Sequence, residues 1–123
     1  MNTAIWIAQG LLAVVFAFSG LSKLIQPYER LAQQMGYVND FSPNTIRAIG
    51  VAEVLGAAGV VLPALTDILP WLTPTAAIGL VLVMLGAMAT HLRRREYAMI
   101  AINLVLLALA VFVAYGRIVA EPL

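Results

Sequence analysis

The chain contains no cysteine. That excludes disulfides, thiol redox chemistry, thiolate zinc sites and cysteine-ligated iron–sulfur clusters. Its single histidine, His91, cannot form a bis-histidine haem site within one chain. Neither a metal site nor a covalently bound cofactor is expected, and any redox role would need a partner protein or a diffusible cofactor. Charge is scarce too. Asp, Glu, Lys and Arg make up 11% of the residues, against about 25% in ordinary globular domains. A net charge of +1 gives no field that would hold nucleic acid. No nucleophile–base pair stands out, so an enzyme acting alone is not expected.

Hydrocarbon is what the chain has in excess. Hydrophobic residues reach 63% and the mean hydropathy is +0.96. A water-soluble chain of 123 residues could not hide so much apolar surface, so the expected solvent is a lipid bilayer. A span takes about 20 mostly apolar residues, each rising about 1.5 Å. Segments near 4–25, 43–65, 74–91 and 97–116 qualify. Pro27 stops the first. Ser42-Pro43 and Thr73-Pro74 each place an N-cap residue before a proline at the first helical position. The apolar segment 4–21 lacks a basic n-region and exceeds the roughly 7–15 residues of a signal h-region, so it reads as a retained span. The expected fold is all-α: a single domain, 1–123, forming an integral membrane antiparallel four-helix bundle.

The connection QPYERLAQQMGYVNDFSPN, residues 26–44, is the only long one. Tyr28, Leu31, Ala32 and Met35 recur at helical spacing before Gly36, which fits a short amphipathic helix in the interface or an ordered loop with one helical turn. Six of the seven basic residues (Lys23, Arg30, Arg47, Arg93, Arg94 and Arg95) flank the connections after spans one and three. Arg117 stands alone on the other side. The positive-inside rule then makes this a multi-pass protein of the cell membrane with both termini outside the cytoplasm. Trp6 and Trp71 would mark the outer interface. The run HLRRRE, residues 91–96, is read first as a topology anchor, and otherwise as a contact for anionic lipid or a partner.

Glu53 interrupts the apolar stretch RAIGVAEVLGAAGVVLP, residues 47–63. A carboxylate in hydrocarbon costs roughly 3 kcal/mol by insertion scales, so something must justify it. At 100° per residue, Glu53 shares a face with Ile46, Gly50, Gly56, Ala57, Val60 and Ala64. Membrane helices pack through small residues, which turns Glu53 toward the bundle interior. Matching seams run through Gln9, Ala13, Phe16, Gly20 and Lys23 on span one, through Thr75, Gly79, Gly86 and Thr90 on span three, and through Glu96, Asn103, Ala110 and Ala114 on span four. Gly20, Gly50, Gly56, Gly79 and Gly86 are the expected packing positions.

Glu53, Lys23, Asn103, His91 and Ser19 fall in one half of the bilayer and are the candidate ligand-binding residues. Their chemistry suits a pocket that holds a ligand's oxygen or amine, or that passes a proton. As a proton carrier, Glu53 would tolerate Glu53→Gln in folding but not in function. The structural readings stand beside this one: Glu53 pairs with Lys23 or hydrogen-bonds Asn103 and Ser19 to fix helix register, Lys23 snorkels at its helix end, and His91 lies at the interface among arginines.

FSGLSKL (18–24), IGVAEVLGAAGVVLP (49–63), GAMATHL (86–92) and the asparagine-bearing fourth span resemble the DoxX-like family, over nearly the whole chain. The resemblance implies a four-helix membrane protein associated with membrane redox metabolism. The family takes its name from a subunit of a thiosulfate:quinone oxidoreductase. It aligns Lys23, Glu53, His91 and Asn103 with family positions, while the missing cysteine counts against a thiol-dependent role. The function this implies is an accessory subunit binding a quinone or similar hydrophobic ligand around Glu53. Its partners would be the lipid bilayer and a protein of a membrane redox complex, with room for a homo-oligomer. The competing expectations are a proton-coupled small-molecule transporter and a non-catalytic assembly or lipid-binding factor. The small multidrug resistance family also combines four short helices with one membrane glutamate. Its acid, however, lies in the first helix and its loop charge bias is weak.

Overall fold

A computed structural model describes residues 1–123 as helices α1 (Asn2–Ile25), α2 (Tyr28–Gln34), α3 (Pro43–Gly59), α4 (Leu62–Thr66), α5 (Leu72–Arg93) and α6 (Tyr97–Tyr115). Four stretches are long and apolar enough to cross a membrane: Asn2–Ile25, Pro43–Thr66, Leu72–Arg93 and Tyr97–Ala120. Their outward faces carry bare hydrocarbon. Phe18 is 77% exposed and Val14 71%, a surface that water would oppose and lipid accepts. The chain is an all-α membrane bundle in which α1 packs on α3 and α6, and α5 packs on the same two helices.

Local chemistry explains the start of α3. The Ser42 hydroxyl accepts the Thr45 N–H at 3.2 Å, with Pro43 in the first turn, as an N-cap should. Thr73-Pro74 behaves differently from expectation. Helix α5 starts two residues before Pro74, at Leu72, with Trp71 as its cap. Pro74 is tolerated because first-turn N–H groups lack intrahelical acceptors anyway. The second span is also not continuous. It breaks at Val60–Val61 before resuming as α4. Pro63 cannot donate to the Gly59 carbonyl and crowds that turn.

The break leaves the Val60 carbonyl free, and Gln9 Nε2 donates to it at 2.6 Å. Gln9 Oε1 in turn accepts from Arg117 Nε at 2.8 Å. Arg117 also reaches Asn2 Oδ1 at 2.7 Å and lies 5.3 Å from the centre of the Trp6 ring. Arg117, expected only as a lone charge on its side, is therefore buried at 4% exposure and ties α1, α3 and the end of α6 together. A π-helical turn over Gly116–Ala120 brings it inward.

Glycines set the closest helix approaches. A Cβ placed on Gly20 would stand 2.7 Å from the Gly50 carbonyl oxygen, and one on Gly56 would stand 2.5 Å from Leu80. Gly79 and Gly86 differ from expectation, since nothing lies within 4 Å of a Cβ on either. The buried face of α5 runs through Thr73, Ala77, Leu80, Met84, Thr90 and His91, keeping only Thr90 of the expected seam. A large side chain, Leu80, fills the space that Gly56 vacates, so small packs against large across α3 and α5. Thr75 needs no inward partner because its hydroxyl donates to the Trp71 carbonyl at 2.8 Å.

Candidate functional site

The approach of Gly20 to Gly50 has a chemical consequence one turn away. It brings the last turn of α1 against α3, where Lys23 Nζ lies 2.8 Å from Glu53 Oε1. Both side chains are 5% exposed. Lys23 therefore turns inward and does not snorkel. Its ammonium also donates to Ser19 Oγ at 2.7 Å, one turn back on α1. The Arg47 guanidinium donates to the Lys23 carbonyl, covering one of the unpaired carbonyls that end a helix. An ion pair in so dry a setting needs such supporting bonds to offset desolvation.

Beside this pair lies a cavity of about 630 Å³, within the range of small-molecule sites. All four long helices contribute to its wall, and so does the 26–42 connection. Most of the lining is apolar, including Phe16, Val83 and Met84. Ser19, Lys23, Glu53, His91 and Asn103, the five residues expected to form a site, all line it together. Asn103 is 5% exposed, yet its Nδ2 has no hydrogen-bond partner. It does not glue helices through Glu53 or Ser19. A buried amide donor left unpaired costs about 1–3 kcal/mol, so its position in this wall calls for an acceptor.

His91 is 4% exposed, buried against its neighbours. Its Nδ1 lies 2.8 Å from Glu96 Oε1, and its ring meets Tyr37 edge-on at 5.2 Å between centroids. Thr90 spends its hydroxyl on the Gly86 carbonyl at 3.0 Å. Gly86 lines the cavity, consistent with open space at its Cα.

Sequence periodicity missed the roof of the cavity. Met35, Tyr37 and Phe41 lie in the connection between α1 and α3, outside any span, yet they line the cavity. The connection folds as α2 and a 3-10 turn over Gly36–Asp40, around a small core of Leu31, Val38 and Ile46. The Tyr28 hydroxyl donates to the Phe41 carbonyl at 2.6 Å. Arg94 Nη1 reaches both Asp40 oxygens, at 3.0 and 3.1 Å, and holds this segment against the α5–α6 turn. The available signal was compositional: three aromatics, Tyr28, Tyr37 and Phe41, fall within this one connection.

The model of the DoxX-like family matches residues 7–113. The chain belongs to the DoxX-like family. The match spans every residue that lines the cavity, from Val15 to Leu106, and stops before Arg117. Neither the curated proteins nor the solved structures give a match. This DoxX-like chain is a multi-pass membrane protein, and the cavity with its Lys23–Glu53 pair is its candidate site.

Proposed function

We propose that this DoxX-like protein is an accessory component of membrane redox metabolism that binds a quinone, or a similar apolar ligand bearing carbonyl oxygens, beside the Lys23–Glu53 pair. The observation that carries this is the unpartnered Asn103 amide in a largely apolar cavity of about 630 Å³. A quinone supplies what such a wall lacks, a flat apolar body with carbonyl acceptors at its edge. Lys23 offers a second donor, since its ammonium has three N–H groups. With no cysteine and one histidine, electrons would come from a partner protein. The basic connections would face the cytoplasm, with both termini outside.

Calorimetric titration of the protein in nanodiscs with a short-tailed quinone tests the proposal. Saturable binding is expected, weakened roughly tenfold by Asn103→Leu, the worth of one neutral hydrogen bond. Equal heats from the protein, the variant and empty nanodiscs would refute it.

A further inference from the structure

Beyond the ligand, the structure offers a line of ionisable groups leading away from the buried pair. Tyr37 and Lys23 line the same cavity. The Tyr37 ring stands 5.2 Å from His91, at 75° to it. His91 Nδ1 lies 2.8 Å from Glu96, whose side chain is 30% exposed. Lys23, Glu53 and His91 are buried, whereas Tyr37 and Glu96 are half-buried. We propose that Tyr37, His91 and Glu96 form a proton-exchange route between the Lys23–Glu53 pair and the water at the basic end of the bundle.

Each station has the chemistry the task needs. A carboxylate at Nδ1 fixes the neutral imidazole with its N–H there, leaving Nε2 as an acceptor. Tyr37 and His91 both line the cavity, whose volume admits water. Release begins with Glu53 protonated beside the Lys23 ammonium. Lys23 gives a proton to the Tyr37 oxygen as the Tyr37 proton passes to the cavity water, and Glu53 returns its proton to Lys23. The water passes a proton to His91 Nε2, and Nδ1 gives its own to the Glu96 carboxylate, which releases it outside. One N–H or O–H bond forms as each breaks, and the pair changes charge by one. Reversal reloads it.

The surrounding charges are few and identifiable. Lys23 on α1 faces Glu53 on α3. Tyr37 from the connection and Glu96 from the α5–α6 turn face His91. Arg94 lies 3.7 Å from the other Glu96 oxygen and pairs with Asp40. Arg93 lines the cavity beside them, and Arg47 is engaged by the Lys23 carbonyl.

Time-resolved infrared spectroscopy of ligand-free protein in nanodiscs after a pH jump reads this directly. The protonated carboxyl band of Glu53 is assigned by its loss in Glu53→Gln, or by its shift in Glu53→Asp should the Gln variant not fold. Tyr37→Phe keeps the ring and its packing but removes the hydroxyl. Its Glu53 band should reach the same final amplitude roughly tenfold or more slowly, as loss of a proton-transfer group slows exchange. His91→Gly should be slowed likewise and recover with added imidazole. Unchanged rates in both variants, or no Glu53 band at any pH that leaves the protein folded, would overturn the route. No quinone is present, so this outcome is independent of whether Asn103 binds one.

Discussion

Gly20 and Gly50 face each other so closely that a side chain on either would strike the opposing helix. A Cβ on Gly50 would stand 3.0 Å from both the Gly20 carbonyl oxygen and Lys23 Cβ. Backbone cannot retreat as a side-chain tip can. Gly50→Ala should therefore lower the thermal stability of the detergent-solubilised protein, by about 1–3 kcal/mol as for other overpacked sites. Gly86→Ala, with open space around it, should cost nothing. Equal losses in both variants would mean that this approach does not set the α1–α3 geometry.

The Lys23–Glu53 pair gives a second prediction. Glu53→Gln leaves a buried ammonium without its counter-charge, and breaking such a pair costs about 3–5 kcal/mol. Partial movement of Lys23 toward the nearby helix end would reduce that figure. Lys23→Met combined with Glu53→Gln removes both charges and should regain most of the lost stability. A double-mutant cycle of thermal unfolding measures the coupling. Additive losses would show that the two side chains do not stabilise one another.

Much of this was legible in the sequence because the bilayer imposes few solutions. Span length follows from hydrocarbon thickness, and the inward phase of Glu53 follows from Gly50 and Gly56 on its face. The phase of α5 was not legible. Its small residues Thr75, Gly79 and Gly86 imitate a packing seam, yet Gly56 on α3 already supplies the space and Leu80 fills it. The break at Val60–Val61 was hidden by unbroken hydropathy, although Pro63 carried the signal one turn downstream. The inward turn of Arg117 depends on Gln9, more than a hundred positions earlier, and no local pattern links them. Tyr37 reaches the cavity only because the 26–42 connection folds back over it.

That connection is held by exposed contacts and should be the first part to loosen. Arg94 is 33% exposed and Asp40 44% in their ion pair, so the bond adds little to global stability. Asp40→Asn should raise amide hydrogen exchange across residues 36–41 while leaving the unfolding temperature within experimental scatter. A large fall in unfolding temperature, with unchanged exchange, would contradict this division between roof and bundle.

Photolabelling in native membranes tests the central claim most directly. A photoreactive quinone is cross-linked and its attachment sites are mapped by peptide mass spectrometry. The cavity account predicts labelling at buried lining residues such as Phe16 and Met84, competed by excess unlabelled quinone and diminished in Asn103→Leu. Labelling confined to lipid-facing positions such as Val14, Leu104 and Val111, without competition and unchanged in that variant, would contradict it.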